Sequence, residues 1–447
     1  MTKSRVFAII NINIYKNFTG EQMNYIKKKR YFIDLFAGCG GLSLGLEQAG
    51  FTPALVNELN SDAMETYLIN RDKEFPLLRE KYNFGDVKEL AYDETLVKKI
   101  IIDMQCDYGV DVKNGEIDLL VGGPPCQGYS GIGHRRSYSV EKSKLPSNHL
   151  YLDMVKLIEK FNPKIFLFEN VKGILSGKWT SNGKKGEIWN DVLTAFERIN
   201  GYGVRPTLVH AKDYGVPQNR PRVLIVGIRN DIVSLSNLPK DAVNAGLLPK
   251  PTCNYPNLDE LLGDLVDDDF QFGGANSEYI AAPQNDFQRA LRTDKEGGLM
   301  DVGHELFEQE YGNHTSRVIE KFTHMLNNNG EIPDEYRTKK FAQKVLPPIW
   351  GESGPTITAT CLPDDYVHYS QPRILTVREW ARLQMFPDWY RFAGKRTTGG
   401  IRRAGNPQKG IYDRELPKYT QIGNAVPVAL AHKVGIKLFS ILEENNA

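Results

Sequence analysis

Cys126 and Glu169 are the residues whose type and placement point most directly to covalent chemistry. Cys126 stands in Gly122-Gly123-Pro124-Pro125-Cys126-Gln127-Gly128-Tyr129-Ser130, just behind a Pro-Pro step that closes the apolar run Ile117-Asp118-Leu119-Leu120-Val121. Proline fixes the local backbone, and the carboxyl end of a buried strand is where open α/β sheets bind ligands. A thiolate held there reads as a nucleophile, although a lone cysteine is more often a small buried filler. About forty residues on, Lys164-Ile165-Phe166-Leu167-Phe168 ends in Glu169-Asn170-Val171. A carboxylate at the end of so apolar a strand is partly desolvated, the environment in which a carboxyl can serve as an acid near neutral pH. Cysteine and glutamate then form a nucleophile and acid pair.

A second constellation suits a nucleotide-like ligand. Gly38, Gly40 and Gly41 in Phe36-Ala37-Gly38-Cys39-Gly40-Gly41 lie between a strand and a helix beginning near Leu42, where missing side chains let the backbone approach a ligand. Ser43 stands where the strict dinucleotide fingerprint wants its third glycine, which argues against a dehydrogenase. Glu58 lies 20 residues beyond Gly38 at the end of the next strand, where a carboxylate can accept both hydroxyls of a ribose. Gln218-Asn219-Arg220-Pro221-Arg222 precedes a further apolar strand. Its two arginines are either surface salt bridges or cations facing the cysteine, and a nearby guanidinium favours thiolate over thiol. Between Gly128 and Pro146, three glycines with Arg135, Arg136, Lys142 and Lys144 make a candidate closing loop with phosphate contacts.

These groups need a scaffold. Apolar runs at 31–36, 53–57, 117–121, 164–168 and 222–228 alternate with helical patterns, which predicts a doubly wound, largely parallel α/β sheet. From 231 to 371 the chain turns irregular, with Pro249-Lys250-Pro251 and Asp267-Asp268-Asp269, and reads as a smaller separate domain. Beyond it, Thr376 and Glu379 form a capping box opening an amphipathic helix, and Val426 to Leu442 is again helical in pattern. Residues 1–30 form an N-terminal extension to which no function is assigned. The chain of 447 residues is 41% hydrophobic and 25% charged with a net charge of +1, ordinary for a globular protein of two domains. Global charge therefore says nothing for nucleic acid, and any such affinity must be local. No uninterrupted apolar stretch reaches the roughly 18 residues of a membrane span and no cleavable signal is evident, so no membrane partner and a cytoplasmic location are expected. Cys39, Cys106, Cys126, Cys253 and Cys361 are odd in number and contain no C-x-x-C pair, against both a disulfide framework and a metal site.

Together with Phe32-Ile33-Asp34-Leu35-Phe36 and Gln421-Ile422-Gly423-Asn424-Ala425-Val426-Pro427, these motifs, in this order from about Tyr31 to the C-terminal region, resemble the DNA (cytosine-5) methyltransferase family. The resemblance implies an S-adenosylmethionine-dependent, Rossmann-like catalytic domain at 31–230, an inserted target-recognition domain at 231–371 and a catalytic return at 372–447. It implies that Cys126 attacks C6 of a flipped cytosine in double-stranded DNA while Glu169 holds N3 and the exocyclic amine. By the same resemblance Arg220 meets the flipped base or its phosphate and Arg222 orients the thiol and carboxylate. Phe36, Gly38, Gly40, Gly41, Glu58, Asp86 and Asn424 fall to the cofactor site, with Asn424 also a brace. Gln127, Ser130, Arg135, Arg136 and Thr356 fall to DNA. Leu59 departs from relatives that carry an aromatic there, and the interval from Pro387 to Gly423 is long and basic. A monomer, functionally paired with a restriction endonuclease, is expected. A tRNA-directed relative lacks support, since its Cys-Phe-Thr signature is missing, and a silent DNA-binding homologue need not keep Cys126, Glu169, Arg220 and Arg222 together.

Overall fold

The computed structural model describes residues 29–125, 143, 145–252, 254–337, 343–348, 356–357, 365–398 and 415–445. Its centre is a seven-stranded sheet of β1 (Arg30–Leu35), β2 (Phe51–Asn57), β3 (Asn83–Phe84), β4 (Leu119–Gly122), β5 (Ile165–Val171), β6 (Tyr202–His210) and β7 (Pro221–Arg229), in the order β3-β2-β1-β4-β5-β7-β6. The neighbours from β3 through β5 pair in parallel, and β7 runs antiparallel to both β5 and β6. The order reverses between β1 and β4, the switch point at which such sheets bind ligands.

Alternation along the strands distributes one apolar run over two cores. Ile33, Leu35, Leu120, Phe166 and Phe168 face one side, and Phe32, Leu119, Val121, Ile165 and Leu167 the other. Because both faces are covered, the strands read as continuous hydrophobic runs. The second face is closed by α1 (Gly41–Gln48) and by the helix Val428–Glu444, whose buried Leu430, Ala431, Val434 and Leu438 join that core. By length and composition Lys418–Glu444 could cross a membrane, but 56% of its most apolar window is buried in the protein.

Two strands escaped the sequence pattern. β3 has only two residues, and β6 contains Gly203, Arg205 and Pro206, which break its alternation. Proline is admitted because β6 is the sheet edge. Past β7, Leu235, Ala242, Leu247 and Leu248 still pack into the sheet core, so that core continues beyond residue 230. The rest of the expected small domain consists of short helices at Leu258–Leu262, Asp286–Leu291 and Ser316–Asn327, with Lys344–Val345 paired to Tyr366–Val367. Helix Val377–Arg382 starts with the capping box of Thr376 and Glu379 and is buried between this region and the turn after β1.

Candidate active site

The carboxyl end of β5 and the start of β7 bring opposite charges together by register alone. Glu169 pairs with Leu224 and Val171 with Arg222, so Arg222 stands diagonally across from Glu169 on the same sheet face. A long side chain spans that diagonal, and Arg222 Nε lies 2.6 Å from Glu169 Oε1. Glu169 is only 9% exposed, and it lines a narrow cavity with Leu42, Leu167, Leu224, Val426 and Leu430. The turn after β4 is fastened to the same place. Asn170 Nδ2 donates to Pro124 O at 3.1 Å, and Glu169 Oε2 lies 3.0 Å from where a Cβ on Gly123 would stand. Pro125 is exposed, and the next residue in the chain is Cys126. Cys126, Gln127, Ser130, Arg135 and Arg136 lie outside the described residues. Where the chain is described again, Ser143 N–H donates to Trp179 O, and His149 hydrogen bonds Ser143 O while its ring stacks on Trp179 at 4.9 Å.

At the other half of the same edge, the turns after β1, β2 and β3 leave open space above Gly38 and Gly85. Phe36 and Gly38 both have positive φ, 58° and 56°, uncommon for a phenylalanine and typical of built functional turns. Glu58 accepts from the Gly38 N–H through Oε2 (2.9 Å) and from the Asn60 N–H through Oε1 (2.8 Å). Burial raises its carboxyl pKa and those amide donors pull it back. Beside it Leu59 is 77% exposed, and a Cβ at Gly38 or Gly85 would meet nothing. Asp86 caps the next helix through the Lys88 N–H at 2.9 Å, so one oxygen is already engaged. Below the turn, Asp34 is buried, and burial lifts its pKa to about 7 although the Ser43 hydroxyl donates to it.

Gly40 and Gly41, expected at the cofactor, are packed closely on their Cβ side. A Cβ on Gly40 would stand 2.7 Å from Tyr390 Oη, and one on Gly41 2.4 Å from Val426 O. These glycines are required because the protein's own C-terminal segments close on them, and of the three only Gly38 opens onto that space. The Tyr390 hydroxyl donates to Cys39 O at 2.6 Å and accepts from Arg71 Nη1 at 3.1 Å, tying the return segment to the turn.

Arg220 is engaged with the protein's own backbone. Expected at a flipped base or phosphate, it is 1% exposed and donates to the carbonyls of Ile357, Gly423 (2.8 Å) and Ala425 (2.9 Å). Its charge braces the Gln421–Pro427 segment from behind. Asn424, expected at the cofactor, ends helix Lys418–Asn424 with an exposed side chain, and its carbonyl accepts from Arg220 at 3.4 Å. Thr356 donates its hydroxyl to Asn219 O, and Ile357 N–H donates to Gln218 Oε1 at 3.1 Å, so this strap docks on the Gln218–Arg222 segment. Sequence reasoning missed Gln384, which accepts from Gln218 (2.9 Å) and donates to Ile422 O (2.9 Å). Its place in the turn just after helix Val377–Arg382, outside any motif, gave no signal. Among the described residues, no cluster of His, Cys, Asp and Glu could hold a metal.

A family profile described as C-5 cytosine-specific DNA methylase matches residues 31–440. The chain belongs to that family. It is a DNA (cytosine-5) methyltransferase, and its methyl donor is S-adenosylmethionine. The methyltransferase is 31% identical over 432 residues to Type II methyltransferase M.DdeI of Desulfomicrobium norvegicum, covering 93% of this chain and 89% of that protein. It is 27% identical over 436 residues to M1.HphI of Haemophilus parahaemolyticus, with 96% and 91% covered. Among solved structures, a prophage-encoded DNA modification methyltransferase of E. coli superposes with a TM-score of 0.62 at 23% identity, covering 93% of this chain and all of that one. That last likeness speaks to the fold.

The open space over these turns of the methyltransferase fits its methyl donor. A carboxylate offers about four acceptor positions, and the amide N–H groups of Gly38, Asn60 and Leu59 draw on those of Glu58, so part of its acceptor capacity is left for a ribose hydroxyl. Leu59 presents an apolar face beside it, and the open positions over Gly38 and Gly85 leave room for a ligand against bare backbone.

Proposed function

We propose that this methyltransferase modifies one cytosine of a short DNA sequence through a covalent adduct on Cys126, with Glu169 held by Arg222 as the group that meets the base. The observation that carries this reading is the Arg222–Glu169 pair at 2.6 Å, beside the turn fastened by Asn170 that leads directly into Cys126. C5 of cytosine is a poor nucleophile. Addition of the Cys126 thiolate to C6 makes the ring an enamine, nucleophilic at C5, and so replaces one difficult step by two. Glu169 hydrogen-bonds or protonates N3 and holds the exocyclic amine, stabilising the charge that addition drives into the ring. S-adenosylmethionine, when bound, supplies an electrophilic methyl group. After C5 takes the methyl, a base removes the C5 proton and the thiolate is expelled. Arg222 keeps the carboxylate in place through this cycle, and Glu58 holds the ribose of the donor.

The target base must leave the duplex stack, which costs on the order of a few kcal/mol. Residues 231–371 are the region that selects the site, with Arg317, Lys321 and Arg337 among its described cations. The likeness to Type II methyltransferases supports the modification half of a restriction-modification system, acting in the cytoplasm as a monomer, since one flipped base requires no symmetry. The test is methyl transfer from labelled S-adenosylmethionine to unmethylated genomic DNA and to tRNA, by wild type and Cys126→Ser, followed by bisulfite sequencing. Label in DNA at one short motif, absent with Cys126→Ser, is expected. Label in tRNA alone would overturn the substrate assignment.

A further inference from the structure

We propose that Asn57 is the positioning residue of the cofactor cradle, a single carboxamide that holds the turns after β1 and β3 in register across the end of β2. This rests on the reading that S-adenosylmethionine occupies the space over those turns. Asn57 is the last residue of β2 and is 1% exposed. Its backbone pairs with Leu35 of β1 on one side and Phe84 of β3 on the other, so it lies between the two outgoing turns. Nδ2 donates to Phe84 O at 3.0 Å and to Gly85 O at 2.8 Å. Oδ1 accepts from the Phe36 N–H at 3.3 Å, and the Asn57 carbonyl accepts from Ala37 N–H at 3.0 Å.

Both donors and the acceptor of the amide are therefore used, which also fixes its orientation. The two turns it joins carry the groups assigned to the donor: Phe36 and Gly38 on one side, Gly85 and Asp86 on the other. Phe36 keeps its uncommon φ of 58° in a position where Asn57 receives its amide. The next residue is Glu58, whose carboxylate reaches back to Gly38 N–H. A shift of the β2 end would thus move the ribose acceptor together with both flanking turns.

Chemistry narrows what could replace it. Aspartate keeps the acceptor for Phe36 but sets a carboxylate against two carbonyl oxygens, and alanine leaves polar backbone groups without their partner. Asn57 itself touches no reacting atom in this account. Its loss should act on donor affinity and leave the chemical step and DNA affinity alone, whereas a purely structural residue would lower the melting temperature without moving the affinity of the folded fraction.

The test is calorimetric titration of S-adenosylhomocysteine into wild type, Asn57→Asp and Asn57→Ala, with melting temperature, duplex DNA affinity without cofactor, and the split of kcat from KM. Asn57→Asp should weaken binding by at least about tenfold and raise the KM for S-adenosylmethionine by the same factor. The kcat at saturating donor and the DNA affinity should stay within about threefold of wild type. A folded Asn57→Asp that binds like wild type overturns the proposal alone, and a wild type that binds neither ligand removes the cofactor reading and the proposal with it. Should the variants not fold, hydrogen exchange on wild type decides. Peptides spanning 36–38 and 84–86 should gain protection together on ligand binding, and protection of one without the other overturns the proposal.

Discussion

Among the buried arginine–carboxylate sites of the described residues, two have opposite surroundings. Arg222 and Glu169 meet at the carboxyl edge of the sheet with side chains 9% and 12% exposed, beside the turn into Cys126. Arg382, Asp264 and Asp388 meet with every side chain at 0%, sealed between helix Val377–Arg382 and the segment that follows helix Leu258–Leu262. Arg382 donates to Asp264 Oδ2 (3.1 Å), Asp388 Oδ1 (3.0 Å) and Leu261 O (2.8 Å), while Tyr279 and Arg292 complete the carboxylates' shells. Removing two charges from water costs more than a simple ion pair returns unless further hydrogen bonds satisfy both partners. The sealed cluster meets that condition entirely from within, whereas the edge pair keeps a part of both side chains exposed. Burial of charge alone therefore does not distinguish a structural group from the reacting group proposed at Glu169.

That distinction is broken first at the edge. Glu169→Gln should lower the rate of methyl transfer by about 10²–10⁴-fold, the range for a positioned acid–base group, with little change in melting temperature. Single-turnover kinetics beside thermal unfolding separates the two, and a normal rate would place Glu169 with the structural charges. Arg382→Met should do the reverse. Leaving Asp264 and Asp388 buried without their cation should cost about 3–5 kcal/mol of stability in urea titration, with the rate of the folded fraction little altered.

Acidity sharpens the contrast further. His368 is fully buried; burial, with Arg373 nearby, lowers its pKa to about 3. Arg373 also donates twice to Glu379 (2.8 and 2.7 Å), and its charge overcomes the cost of burial to hold that carboxyl low. An unfolded histidine titrates near 6.5, so the unfolded state binds the extra proton below that pH. Stability is then fully present above about pH 6.5 and is lost progressively toward pH 3. His368→Asn should remove up to about 1.4 kcal/mol per pH unit from the slope between pH 6 and 4.5, above the window in which Glu379 adds its own loss. An unchanged slope would mean that other groups govern acid unfolding. The smallest effect is expected at Leu59. Leu59→Trp should tighten S-adenosylhomocysteine binding by about 2- to 12-fold, about 0.5–1.5 kcal/mol from ring stacking, read by titration calorimetry.

Much of this was legible in the sequence where a signal was local. The apolar runs gave β1, β2, β4, β5 and β7, because strands buried on both faces are written as continuous hydrophobic stretches, and Thr376 with Glu379 announced a helix start that forms as a capping box. Edge strand β6 was hidden by Pro206, and β3 by its length. Long-range contacts were illegible for a physical reason: nothing near Gly40 or Gly41 tells that Tyr390 and Val426, some 350 and 385 residues away, will close on them. The same holds for Arg220, whose motif suggested a ligand and whose partners are carbonyls at 357 and 423–425. Asn57 went unnoticed because an asparagine at a strand end looks like turn chemistry until its three partners are in view.

The most direct test of the central claim is covalent trapping on duplex DNA in which the target cytosine carries fluorine at C5. Without a C5 proton to remove, the adduct formed after methyl transfer cannot break down. Wild type with S-adenosylmethionine should give a denaturant-resistant protein–DNA complex whose crosslinked peptide contains Cys126, slowed with Glu169→Gln and missing with Cys126→Ser. A complex that persists with Cys126→Ser, or a crosslink mapped to another residue, would contradict the account.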